Sequence, residues 1–146
     1  MDMDNVIVKI QRLSPLANIP HYQHFGDSGA DICSIINCSL KPFERKAIPT
    51  GLKIEIPKGY EIQVRSRSGL ALNEGIFVLN SPGTVDSGFR GEIQIILMNL
   101  SEKNFEITIG QRIAQLVLKP VYFAHFEESD DLSESPRGTQ GFGSTG

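Results

Sequence analysis

Apolar and polar side chains alternate with a period of two along much of this chain, the mark of strands with one face buried. In "YEIQVRSR" Tyr60, Ile62 and Val64 share one face while Glu61, Gln63 and Arg65 share the other. "NFEITI" repeats the pattern with Phe105, Ile107 and Ile109. "EIQIILMN" puts Ile93, Ile95 and Leu97 together, and Ile96 and Met98 make its second face apolar as well, which predicts a strand buried on both sides. Further strand-like runs are "VIVKIQRL", "LKIEI", "IFVL", "RIAQLVL" and "VYFAHF", separated by the turn chemistry of "PKG", "NSPG", "SEKN" and "KP". Many short, regularly punctuated strands predict an all-β fold: a sandwich, a jelly roll or a small barrel. One short helix is expected, in "SGLALNEG", with Ser68 as its cap and Gly75 as its stop.

Past the last strand the composition shifts to "EESDDLSESP", an acidic, serine-rich stretch that reads as a solvated tether. Three segments follow: a β domain over residues 1–126, the tether over 127–136, and the closing "RGTQGFGSTG" over 137–146. That decapeptide is too glycine-rich to fold alone, and the ten-residue tether before it, extended, spans roughly 33 Å, enough to let the decapeptide reach a neighbouring subunit.

At 146 residues there is room for one domain with a true core, and the net charge of -3 supplies no basic field for nucleic acid or anionic membrane. Apolar runs are too short to span a bilayer, and "MDMDNV" lacks the pattern of a signal peptide, so a cytoplasmic or otherwise intracellular protein is expected. Cys33 and Cys38 are read as free thiols, and His21 and His24 as surface residues without metal partners. No P-loop or GxSxG run is present, and the one GxGxxG spacing, "GFGSTG" at 141–146, follows the acidic tether and not a strand, so no dinucleotide-binding site is supported.

Three stretches could carry chemistry. "RSRSGLA" (65–71) offers arginines and hydroxyls at a strand-to-helix junction, an anion cradle; solvated strand-end arginines explain those seven residues slightly better. "NSPGTVDSGFRGEI" (80–93) reads as a tight hairpin presenting Asp86 beside Phe89 and Arg90, and a plain surface turn accounts for the spacing equally well. In "GADIC", Asp31 could assist a magnesium ion held by water and substrate phosphates, although a lone aspartate near glycines more often forms a turn.

Taken in order, "SGADI" (28–32), "RSGLA" (67–71), "NSPGTVDSGFRGEI", "GQRIAQLVL" (110–118) and "RGTQGFGSTG" resemble the five motifs of the trimeric deoxyuridine triphosphate nucleotidohydrolases, the dUTPases. The resemblance implies a jelly-roll or distorted β-barrel of the β-clip type with a flexible C-terminal arm. It also implies a homotrimer with active sites shared between chains. The implied reaction is Mg2+-assisted hydrolysis of dUTP to dUMP and pyrophosphate, which keeps uracil out of DNA and feeds thymidylate synthesis.

By the same resemblance Asp86 and Gln115 would position the attacking water, while Asp31 would reach the metal indirectly, through its waters. Arg67, Ser68 and Gly69, with Arg137, Gly143, Ser144 and Thr145 of the arm, would hold phosphates. Asn80, Gly83, Thr84, Val85, Asp86 and Phe89 would surround uracil and deoxyribose, and Phe142 would stack on the base. An unperturbed aspartate titrates near roughly 3.9, so orienting water matters more than abstracting its proton. The family usually carries tyrosine where Phe89 stands, and glycine where Gln140 stands; Phe89 keeps the flat ring and loses the phenol. A dCTP deaminase shares this fold, but the complete "RGTQGFGSTG" ending argues against it. A nucleotide-gated binding module is the other alternative, and fold alone does not exclude it.

Overall fold

Burial alternates strictly along two strands, Glu92–Asn99 and Tyr60–Arg65, and these anchor the two principal sheets. The computed structural model describes residues 5–145. Met1 to Asp4, which open the stretch read as lacking a signal, and Gly146, the last residue of the arm motif, lie outside the described residues. In chain order the strands are β1 (Lys9–Arg12), β2 (Ala30–Cys33), β3 (Cys38–Leu40), β4 (Arg45–Glu55) and β5 (Tyr60–Arg65). The helix α1 (Ser68–Glu74) follows, then β6 (Ile76–Val78), β7 (Gly83–Val85), β8 (Glu92–Asn99), β9 (Phe105–Ile107) and β10 (Arg112–Pro120).

One sheet has the order β1-β4-β8-β6, the second β2-β10-β5-β7, and β3 pairs with β9 in a small third. Every pairing between these strands is antiparallel. The result is jelly-roll-like, with open sheets that do not close into a barrel. Ile48, Leu52, Ile95 and Leu97 of the first sheet join Ile32, Val64, Ile113 and Leu116 of the second in one buried cluster. Where β4 slips register against β8, the buried Thr50 hydroxyl donates to the Ile93 carbonyl at 2.6 Å, satisfying an acceptor beside the interrupted ladder.

Five expectations change. The tight hairpin read over 80–93 does not form: β7 pairs with β5 while β8 pairs with β4 and β6, so the turn at Asp86 crosses from one sheet to the other. "VIVKIQRL" pairs only over Lys9–Arg12. "VYFAHF" forms no strand: β10 stops at Pro120, which lacks an N–H, and Tyr122, Phe123 and Phe126 stand exposed. In β8 only Ile93, Ile95 and Leu97 are buried among its apolar residues, while Ile96 is exposed and Met98 half-buried, because the outer face of this sheet has no second layer in one chain. Ser68 does not cap α1; Arg67 occupies the cap without a side-chain bond, and Ser68 is already helical. Gly75 does end the helix, in the left-handed conformation that its missing Cβ permits.

Candidate active site

Pairing of β7 with β5 fixes the first half of the site. Val85 lies opposite Ile62, Thr84 opposite Gln63 and Gly83 opposite Val64, so the segment before Asp86 is held by a sheet. Gly83 is buried, and a Cβ there would come within 3.3 Å of both the Asn80 amide nitrogen and Val64. A side chain at 83 would therefore displace Asn80.

Asn80, Gly83, Thr84, Val85, Asp86 and Phe89, all assigned to one ligand region from sequence, line a single pocket of about 350 Å³. That volume suits a small organic ligand. The pocket is completed by residues not assigned from sequence, chiefly Gln94 and Ile96 from β8 and Ala47 from β4. Their signal was the second apolar face of β8, taken as core although it lines a cavity. The Phe89 N–H donates to the Asp86 carbonyl at 3.1 Å, closing the turn at the tip. Phe89's ring lies directly over Gly91, where a Cβ would sit 2.6 Å from it.

The second half gathers around Asp31, which is 5% exposed. Arg67 Nε lies 3.5 Å from its Oδ1, Arg112 Nη1 lies 3.5 Å from its Oδ2, and Gln23 Nε2 donates to Oδ2 at 3.1 Å. A buried carboxylate needs such partners, since an unpaired charge out of water is strongly disfavoured. Two guanidinium groups against one carboxylate leave positive charge in excess, as an anion site requires. Oδ1 accepts no hydrogen bond among the described residues.

Gln115 pairs with Asp31 across the β10–β2 ladder, and its side chain lies against Gly29, where a Cβ would come within 2.9 Å of Oε1. Ser68 and Gly69 begin α1, and the space around Gly69 is open. Arg112 was not singled out from sequence, although it stands inside the quoted "GQRIAQLVL". Burial pushes the thiol of the neighbouring Cys33 above its usual range, and a hydrogen bond with Asn18 pulls partly against it. Both cysteines are free, and His21 and His24 are exposed.

The two halves do not meet within one chain. Gln115 lies opposite Arg65, whereas Asp86 comes one step beyond the Val85–Ile62 pair, level with Glu61 and Lys119. Two strand spacings and four residues separate them, about 10 Å across the sheet and about 13 Å along it. The arm joins neither half. Arg137 Nε donates to the Gln140 carbonyl, Gly138 turns back onto Ser135, and Phe142 is fully exposed. Gly143, Ser144 and Thr145 line none of the pockets described. Among the described residues no three His, Cys, Asp or Glu side chains cluster as a metal cage.

The family model for dUTPase matches residues 16–146, most of the chain. This chain belongs to the dUTPase family. A deoxyuridine 5'-triphosphate nucleotidohydrolase of Clostridium novyi is 51% identical over 137 residues, covering 94% of this chain and 96% of that protein. Its counterpart in Helicobacter pylori strain P12 is 50% identical over 139 residues, covering 95% and 96%. Among solved structures, a mutant dUTPase of Staphylococcus bacteriophage 80alpha with dUpNHpp superposes with a TM-score of 0.90 at 28% identity, covering 96% of this chain and 98% of that one. The dUTPase motifs thus fall on three separate parts of this fold: the Asp86 pocket, the Asp31 cluster and the arm. No helix among the described residues is long and apolar enough to cross a membrane.

Proposed function

We propose that this dUTPase-family chain hydrolyses dUTP to dUMP and pyrophosphate at a site assembled from more than one copy of itself, in a homotrimer. The observation that carries the reading is the single pocket gathering Asn80, Gly83, Thr84, Val85, Asp86 and Phe89. Asn80 and the main chain of Gly83–Val85 read the uracil edge, and the tight approach at Gly83 leaves little room for the methyl of thymine. Phe89 lies against the deoxyribose.

Asp86 accepts a hydrogen bond from the attacking water and aims its oxygen at the α-phosphorus. A new phosphorus–oxygen bond forms, the bond from that phosphorus to the bridging oxygen breaks, and pyrophosphate leaves with its electron pair. The water's proton passes to solvent by way of the carboxylate. Gln115 from another copy holds the same water on its far side. Arg67, Ser68 and Gly69 bind phosphates, and the arm closes over them through Arg137, Gly143, Ser144 and Thr145 while Phe142 covers the base.

Asp31 is held by two arginines, which suits a contact to Mg2+ through water and not a direct bond, and its Oδ1, which faces Arg67 but accepts no hydrogen bond among the described residues, would accept one from that water. The triphosphate would supply the ion's other oxygens. When bound, the ion neutralises negative charge on the departing pyrophosphate.

Incubation with Mg2+ and, separately, dUTP, UTP, dCTP and dTTP tests this function. Pyrophosphate from dUTP alone is expected. Ammonia from dCTP would make the chain a deaminase, and no product from any nucleotide would make it a binding module.

A further inference from the structure

We infer that Glu55, outside every motif of the family, is a positioning residue that holds the Asp86 turn through Arg90. The inference rests on the role proposed above for Asp86. The tip, residues 86–91, leaves β7 in the second sheet and enters β8 in the first, so the chain alone ties it to each layer at one end. Arg90 adds a cross-tie. Its Nη1 donates to the Ser87 carbonyl at 2.7 Å and to the Phe89 carbonyl at 3.1 Å, gathering the turn immediately after Asp86.

Arg90's Nη2 meets Glu55 Oε1 at 3.4 Å, at the end of β4. The other carboxylate oxygen, Oε2, faces Lys9 Nζ at 3.8 Å. Glu55 is paired with Lys9 of β1, and the β4–β8 ladder runs to Lys53, two residues before it, so the carboxylate is presented from the end of a strand anchored in the sheet.

An exposed ion pair adds little stability by itself. What this one contributes is geometry, because a guanidinium turned toward Glu55 keeps its other nitrogen on the two carbonyls, as fork-shaped arginine can and lysine cannot. Gly83–Val85 are fixed independently, by pairing with β5 and by the close approach of Gly83 to Val64, and the Asn80 amide lies beside Gly83. Loss of the tie should therefore disturb the aim of Asp86 while leaving the base-binding segment in place, so the effect belongs in kcat and not in KM.

The test is a double-mutant cycle on the full-length protein with dUTP and Mg2+, with thermal unfolding run on each variant. Glu55→Gln should lower kcat about three- to tenfold, short of the roughly hundredfold that a 1 Å misplacement can cost, with KM changed less than about twofold. Glu55→Asp should recover part of the loss, and Lys9→Ala should leave kcat at the wild-type value. In an Arg90→Ala background Glu55→Gln should have no further effect, since its route to the turn is gone. If Arg90→Ala does not fold, Arg90→Lys serves in its place.

Wild-type kcat in Glu55→Gln, a loss confined to KM, or an undiminished loss in the Arg90 background would each overturn the inference. Asp86→Asn is measured alongside. If it is inactive while Glu55→Gln is silent, the tie alone fails; if Asp86→Asn turns over normally, the assigned role of Asp86 fails and the inference falls with it.

Discussion

The Asp86 pocket and the C-terminal arm carry the same kind of assignment, contact with one nucleotide, yet they are built in opposite ways. At the pocket Gly83 and Val85 are buried, β7 is paired residue by residue with β5, and Arg90 gathers the turn that follows. In the arm the hydrogen bonds among the described residues stay local, and Phe142 is wholly exposed with φ of 51°, a region a bulky side chain seldom occupies. On the proposed function, recognition of the base would be fixed in advance by a sheet. Enclosure of the phosphates would fall to a segment whose hydrogen bonds among the described residues are all local, and which would order on the ligand and release it afterwards.

That contrast can be broken from either side. Asp86→Asn should keep the fold and nucleotide binding while lowering kcat by about 10²–10⁴, the usual range for a positioned acid–base group, as steady-state pyrophosphate release would show. Deleting residues 137–146 should cost activity by about 10² or more through lost positioning, with an unchanged unfolding midpoint. A core change should do the reverse: Ile95→Ala, at a fully buried position, should destabilise by about 2–5 kcal/mol in denaturant titration while leaving the arm's contribution intact.

Smaller effects sharpen the comparison at the Asp86 turn. Gly91→Ala should push the Phe89 ring off its seat and narrow the ratio of kcat/KM for dUTP over UTP by about 1–3 kcal/mol or less, the scale of a small steric change. Smallest of all, Cys33 should react slowly with alkylating reagents at neutral pH, because burial raises its pKa and keeps it protonated.

Much of this was legible in the sequence. Alternation at Tyr60–Arg65 and Glu92–Asn99 located the strands that bound the pocket, and the Pro-Gly and Ser-Gly signals marked the turns around Asp86, although the hairpin read there is a crossing between two sheets, because β7 finds its partner in β5 and β8 in β4 and β6. Less legible were β2, β3 and β7, each three or four residues long, where no period can establish itself. "VYFAHF" misled because aromatic and β-branched content signals a strand only when a neighbour is there to pair with. Arg112 joined Asp31 through register between β10 and β2, information that resides in pairing and not in local composition. The distance between Asp86 and Gln115 was likewise invisible until their strands were set side by side.

The central claim is that one chain cannot complete the site, so the Asp86 pocket of one copy must work with the arm of another. Mixed oligomers test it most directly. Asp86→Asn chains and chains lacking residues 137–146, each nearly inactive alone, are unfolded together, refolded at equal amounts and verified as mixed trimers. With the Asp86 segment and the arm supplied by different chains, each mixed trimer holds an intact pair at one of its three sites, so about a third of wild-type turnover should return in mixed trimers and about a quarter over the whole random mixture. Turnover no higher than the sum of the two parents would contradict the account.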